Sequence, residues 1–391
     1  MMKMTEIYLD NSATTPLSQV SKRAIERAMD VYGNPSSLHS MGQESHRLID
    51  EARRQVLSGL GVRQRRDGGV LVFTSSGTEA TSLALFGTVH AKDRRDATRI
   101  LTTNSEHPSV ARVMDRLSAE GFEVVQISTR QGVLDMDELR AALDKKILLA
   151  SFMLVNNETG AIYNVAEAFK LIKQRYPEAV THCDAVQGFM KVRFTPMTLS
   201  ADLVTVSGHK LHAPKGVGAL YISANMLKAR RIVPFILGGG QEDGMRSGTE
   251  NVLGITAFGA SVEDIEGRRA DIVKHMEELR AYADEKLSAL DLRINLPAGE
   301  RLANIINITL PKIKSETMLH ALSADGIFVS SGSACSSHSK HPSDSLTAFG
   351  LSAAEADCSL RISMSEYNTK EDIDALASSL EKNIARLVRI R

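Results

Sequence analysis

Cysteine is scarce in this chain: Cys183, Cys335 and Cys358 are the only three among 391 residues. An odd number at wide spacing argues against a disulfide framework. An excess of charge of one sign is also missing, because Lys+Arg and Asp+Glu balance at 47 each. No field that would draw nucleic acid or a membrane surface is implied. Long hydrophobic runs are absent; the longest, Ile147 to Val155, is too short to span a bilayer and is broken by Ser151. The first residues, Met1 to Tyr8, lack the apolar core of a signal peptide, so the expected compartment is the cytoplasm. Internal repeats and low-complexity segments are not found. What remains is 43% hydrophobic and 24% charged, the balance of a soluble globular protein with one large domain and a smaller one.

Between residues 70 and 222, short apolar runs alternate with helical patterns. The runs are Val70–Phe73, Ile100–Thr103, Val124–Ile127, Ile147–Val155, Ala179–Cys183, Leu203–Val206 and Ala219–Ile222. Most are continuously apolar, as strands covered on both faces should be. With helices such as Thr78 to Ala91 and Ser109 to Glu120 between them, they predict an α/β fold with a mostly parallel seven-stranded sheet. From about Glu263 the texture changes to a long charged helix, Asp264 to Leu290. Short strands follow near Asn304–Leu310, Gly326–Val329 and Leu360–Ser363, then an amphipathic helix from Lys370. The expected division is a large domain over 15–262 and a small α+β domain from 1–14 plus 263–391. Ser330 to Ser345, rich in serine with Gly332 and Pro342, is expected to be an exposed loop.

Lys210 is the most informative residue. A β-branched strand ends in Ser207-Gly-His209 and delivers its ammonium to the mouth of the sheet. A lysine held there beside small polar residues is what a pyridoxal phosphate (PLP) Schiff base requires. Thr74-Ser-Ser-Gly-Thr-Glu79 follows a strand and opens a helix, so Gly77 and Thr78 can present N–H groups to a phosphate; a plain N-cap explains the segment equally well. Ser207 and His209 can donate to the same phosphate. Asp184, at a strand end, can pair with a pyridinium nitrogen, or simply cap the next helix. His107 can stack on a ring or shuttle protons, and Asn157 can donate to a phenolic oxygen or belong to an Asn-rich turn. Cys335, among polar residues on a loop, is placed to act as a nucleophile. The spacing Cys335, His338, His341 also permits a metal reading, but three ligands on a loop make a poor site, and no metal is expected. Cys183 and Cys358 read as small buried hydrophobes.

Taken together, these segments resemble the cysteine desulfurases of the NifS/IscS type, within the fold-type I PLP enzymes. The resemblance covers nearly the whole chain and runs in order through Tyr8-Leu-Asp-Asn-Ser-Ala-Thr-Thr-Pro16, Gly33-Asn-Pro-Ser-Ser37, Phe73-Thr-Ser-Ser-Gly-Thr-Glu-Ala80, Ser105-Glu-His107 and Val155-Asn-Asn-Glu-Thr-Gly160. It continues through Asp184-Ala-Val-Gln187, Ser207-Gly-His-Lys210, Arg246-Ser-Gly-Thr-Glu-Asn251 and Ser333-Ala-Cys-Ser-Ser337. It implies that Lys210 forms the Schiff base and that Cys335 accepts sulfur as a persulfide. Gly77, Thr78, Ser207 and His209 map to the phosphate site, Asp184 to the pyridine nitrogen, Gln187 and Asn157 to the phenolic oxygen, and His107 to the ring. Asn34 and Arg361 map to the residues that hold the substrate carboxylate. Thr249 maps to a threonine that reaches the phosphate across a dimer interface, which implies a homodimer. The loop resembles the long-loop class, in which the cysteine swings toward a sulfur-accepting protein. One departure is visible: Ala213-Pro-Lys-Gly216 stands where the family usually has Gly-Pro-Lys-Gly, and alanine resists positive φ, which puts the local turn in question.

The implied reaction converts L-cysteine to L-alanine, with Lys210 moving the Cα proton, His107 assisting protonation and sulfur left on Cys335. An acceptor such as an iron–sulfur scaffold, or a tRNA-thiolation pathway, would take it onward. The same scaffold would serve a selenocysteine lyase or another PLP-dependent lyase or aminotransferase, and a non-enzyme reading is a PLP-binding assembly partner.

Overall fold

A computed structural model describes residues 6–63, 68–91, 97–331 and 343–387. Strand β1 (Ile7–Tyr8) lies apart from the main sheet, which is built from the seven runs read above. These are β2 (Val70–Thr74), β3 (Arg99–Thr103), β4 (Glu123–Ile127), β5 (Ile147–Met153), β6 (Val180–Asp184), β7 (Leu203–Ser207) and β8 (Gly218–Ile222). Their order is β2-β8-β7-β6-β5-β3-β4. Only β8 runs antiparallel to its neighbours, so the other strands end at one edge of the sheet. Ligands of open α/β sheets bind at that edge, outside the carboxyl ends of the strands.

Both faces of the sheet are covered, which is why its strands are apolar throughout. One face buries Phe152, Phe169, Phe189 and Phe258, and the other Leu83, Leu85, Ile100 and Leu117. The helix Gly77–Val89 lies on that second face and is itself buried at Ala80, Leu83, Ala84 and Leu85. Its sequence shows no polar stripe because it has almost no wet side.

A second core gathers Leu9, Met276, Ile306, Ile308, Leu360, Ile362 and Leu380. A four-stranded sheet stands over it, in which β9 (Arg293–Ile294) and β13 (Ser359–Ser363) flank β10 (Ile305–Thr309). Strand β11 (Ile327–Phe328) takes β1 as a parallel partner, and β12 (Ser330–Ser331) adds to β13. The charged helix expected from Asp264 begins earlier and runs as one element, Val252–Ser288. The boundary expected at 262/263 therefore falls inside a continuous helix whose first half packs on the large core and whose second half packs on the small one.

The serine-rich segment expected to be exposed is not so at its ends. Ser330 is buried in β12 opposite Arg361, and Ser343 and Ser345 are buried at the start of the helix Asp344–Phe349. Ser343 caps that helix and donates to Glu158 at 2.8 Å, so serine there serves packing and capping, not solvation. Ala213 keeps an ordinary backbone. The positive φ falls one residue earlier, on His212 at 60°, and again on Gly216. The departure from the family pattern therefore costs the turn nothing.

Candidate active site

At the carboxyl edge of the main sheet lies a cavity of about 270 Å³. It is lined by Gly77, Thr78, His107, Asn157, Asp184, Gln187, Ser207, His209, Lys210 and Arg361, so the strand ends bring together ten of the positions singled out above. Asn34 and Thr249 are exposed and do not line it. Cys335 lies outside the described residues, as do His338 and His341.

Each wall follows from a strand end. After β2, Ser76 caps the Gly77–Val89 helix by accepting from Glu79 N at 3.2 Å, which leaves the N–H groups of the first helical residues pointing outward. This turn can lie close to β8 because residue 218 is glycine. A Cβ there would meet the Ser76 carbonyl carbon at 2.4 Å. After β7, the Ser207 hydroxyl is buried with no hydrogen-bond partner among the described residues, and it lines the same cavity. Such an orphaned donor is costly unless a ligand oxygen completes it.

Lys210 follows β7 in a short 3₁₀ turn, Gly208–Lys210. Its Nζ donates to the carbonyl oxygens of Ser12 at 2.5 Å and Ala13 at 2.7 Å. Gln187 Nε2 donates to the same Ser12 oxygen at 2.9 Å. Asp184 ends β6; its Oδ1 accepts from Val186 N at 3.0 Å. Burial pushes this carboxyl up to about 6, against the hydrogen bond from Val186 and the attraction of Lys210.

His107 caps the helix Pro108–Ala119, its Nδ1 accepting from Ser109 N at 3.1 Å with Ser109 Oγ 2.8 Å away. That acceptor role puts the proton of the neutral ring on Nε2. Burial, with Lys210 and Arg361 nearby, brings its pKa down to about 4, so the ring is neutral near pH 7. His209 is lowered to about 4 by burial and the surrounding lysines, and lies 3.3 Å from Thr14 Oγ1. Arg361 enters from β13, with Nη1 donating to Asn157 O at 3.1 Å and Nη2 to Asp10 at 2.8 Å. Its Nε is buried without a partner among the described residues.

Several contributors were not singled out from sequence, although most lie within quoted motifs. Glu106 is buried behind the Asp184 strand end; its Oε1 accepts from Thr103 Oγ1 at 2.7 Å and Met153 N at 2.9 Å. Burial and the neighbouring Asp184 push it up to about 8. Glu79 pairs with Arg246 at 2.7 Å, tying the phosphate-type turn to the Arg246-Ser-Gly-Thr249 loop. One residue pair below the floor, His182 bridges Ser151 Oγ at 2.8 Å and Thr205 Oγ1 at 2.9 Å across three strands.

A family profile for class V aminotransferases matches residues 7–376. The chain belongs to the class V aminotransferase family. Within this family it is 38% identical to a protein named cysteine desulfurase from Trichormus azollae, over 98% of this chain and 94% of that one. It is 36% identical to a cysteine desulfurase IscS from Dictyoglomus turgidum, over 98% of this chain and 95% of the relative. Among solved structures, a NifS-like protein superposes with a TM-score of 0.89 at 34% identity, covering 98% of this chain and all of that one. A structure described as SspA in complex with cysteine gives a TM-score of 0.80 at 27% identity, covering 93% of this chain and 100% of its own. The NifS/IscS-type resemblance and the fold class read from the sequence are both borne out.

Proposed function

We propose that this class V aminotransferase homologue is a PLP-dependent cysteine desulfurase, converting L-cysteine to L-alanine and holding the sulfur on Cys335 as a persulfide. One observation carries the reading: a lysine at the end of β7, an aspartate at the end of β6 and an orphaned hydroxyl at Ser207 converge on one cavity, in a chain 38% identical to a cysteine desulfurase. The donor set fits the cofactor. Gly77, Thr78, Ser207 and His209 would hold its phosphate, Asp184 its pyridine nitrogen, Gln187 and Asn157 its phenolic oxygen, and His107 its ring. When bound, PLP supplies a covalent anchor for the substrate amine and a ring that accepts the electron pair released at Cα.

The chain's own residues do the rest. Lys210 would hold the cofactor, and its Nζ would carry the Cα proton. The Ser12 and Ala13 carbonyls accept from that nitrogen and so fix where it sits. Asp184 is kept dry, so its charge acts at close to full strength on a protonated ring nitrogen. Arg361 would hold the substrate carboxylate, its guanidinium already oriented by Asp10 and Asn157, whereas Asn34 lies outside the cavity of this chain. His107, neutral and protonated on Nε2, can pass a proton toward the product carbon. The Cys335 thiolate attacks the substrate sulfur: an S–S bond forms, the C–S bond breaks, and its electron pair stays with the three-carbon skeleton. That skeleton takes up a proton and leaves as L-alanine.

The assembly is proposed to be a homodimer in which Thr249, exposed on this chain, reaches the partner's phosphate site. The persulfide sulfur then passes to an acceptor protein such as an iron–sulfur scaffold. Replacement Cys335→Ala tests the reaction. The variant should retain the PLP absorption band and form no persulfide; alanine and sulfide made at the wild-type rate would rule out the role given to Cys335.

A further inference from the structure

Beside the catalytic cavity lies a second one of about 280 Å³, bounded by the Val252–Ser288 helix and the segment around Lys210. Only a thin wall separates the two. Along the stretch from Asn11 to Thr15, Ser12 and Ala13 line the catalytic cavity, whereas Asn11 and Thr15 line the second. Lys210 lines both.

The second cavity carries three polar groups with unmet bonding capacity: Lys191, Glu366 and Asn11, whose Oδ1 is buried without a hydrogen bond among the described residues. The half-buried Lys191 side chain makes no hydrogen bond or ion pair among the described residues, and the Glu366 carboxylate attracts it only from a distance. Burial brings this ammonium down to about 8. Glu366 uses Oε2 on His212 Nε2 at 3.1 Å, while Oε1 is buried without a hydrogen bond, the Arg268 guanidinium lying 3.6 Å away. Ile265, Ile272 and Met276 from the long helix form an apolar wall. A cation without an acceptor, a carboxylate oxygen without a donor, and an apolar wall describe one ligand chemistry. A lone carboxylate would leave Glu366 unmet, and a lone amine would leave Lys191 unmet.

We propose that this cavity is a second ligand site that takes one neutral α-amino acid with an apolar side chain. Its carboxylate pairs with Lys191, its ammonium with Glu366 Oε1, and its side chain packs on Ile265, Ile272 and Met276. A ligand there abuts Asn11 and Thr15, the other side of the wall whose Ser12 and Ala13 carbonyls hold Lys210. Occupancy is thereby coupled to the position of Lys210.

Equilibrium dialysis of the PLP-loaded protein against radiolabelled L-leucine tests the site, with the cofactor absorption band reporting separately on the catalytic cavity. Leucine should bind in excess of any change in that band. Lys191→Met should weaken this binding at least ten-fold, about 1.4 kcal/mol, and should leave the melting temperature near the wild-type value, because the half-buried ammonium makes no hydrogen bond or ion pair among the described residues. On the wild-type chain, 4-methylpentanoate has the same skeleton without the amine and should compete at least ten-fold more weakly; this arm decides by itself if the variant does not fold. Binding that only tracks the cofactor band, that survives Lys191→Met unchanged, or that 4-methylpentanoate equals would overturn the proposal. A chain that carries no PLP would overturn the proposed reaction and leave the dialysis intact.

Discussion

Arg361 reaches from β13 to Asp10, Nη2 to Oδ1 at 2.8 Å, so the guanidinium assigned to the substrate carboxylate is held in one plane before any substrate arrives. A planar fork fixed at two nitrogens loses little further entropy on binding a third group. Lysine keeps the charge and loses the fork. Arg361→Lys should therefore raise KM for L-cysteine roughly ten- to hundred-fold, the worth of a charge-assisted hydrogen bond, while PLP content stays at the wild-type level. Steady-state kinetics beside the absorption spectrum separate the two effects.

The floor of the phosphate-type turn depends on Gly218. Its replacement by alanine drives a Cβ to 2.4 Å from the Ser76 carbonyl carbon, so the Ser76–Gly77 turn must shift. Overpacking of this kind costs about 1–3 kcal/mol of stability. The Gly218→Ala protein should also lose PLP on dialysis faster than wild type, with Lys210 intact.

Three buried carboxyls give the cofactor-free protein an unusual pH dependence. Asp184, Glu158 and Glu106 are raised to about 6, 7 and 8 by burial. A raised acid keeps in the folded state a proton that the unfolded chain has already shed, so stability falls as pH rises from the unfolded value to the folded one. Below about pH 6.5 the lowered histidines His107, His182 and His209 act in the opposite sense, because the unfolded chain binds protons that the fold refuses. The clean window is therefore about pH 6.5–8, where Glu106 and Glu158 still titrate. The melting temperature should fall across that window, and Glu106→Gln should flatten the fall.

Lys210→Ala removes the covalent anchor and the base together. The variant should hold PLP only by its phosphate and ring contacts, show the spectrum of free aldehyde, and give no alanine above background. Borohydride reduction should fix PLP to a Lys210 peptide in the wild-type protein and to no peptide in the variant.

Much of this was legible in the sequence, because strands buried on both faces leave continuous apolar runs and the chemistry sits just after them. All seven runs form the main sheet, and Lys210, Asp184 and Ser207 stand at strand ends as read. What was not legible depends on contacts distant in sequence. Glu106 lies inside a quoted motif, yet nothing local tells that its carboxyl is buried against Met153. Asp10 shows its purpose only once β13 brings Arg361 beside it, 351 positions away. Ser330 and Ser345 were expected in solvent because serine-rich stretches read as loops; strand pairing with β13 and the hydrogen bond from Asn156 at 2.6 Å bury them. Asn34 and Thr249 stand outside the cavity of a single chain, where the proposed dimer would account for Thr249.

The most direct measurement is a single anaerobic turnover of the PLP-loaded protein with L-cysteine, counting alanine and locating the added sulfur by peptide mass. One alanine for each added sulfur, with that sulfur on Cys335, is the expected result. Alanine accompanied by sulfur on Cys183 or Cys358, or released as sulfide with Cys335 never modified, would contradict the desulfurase account at its central step.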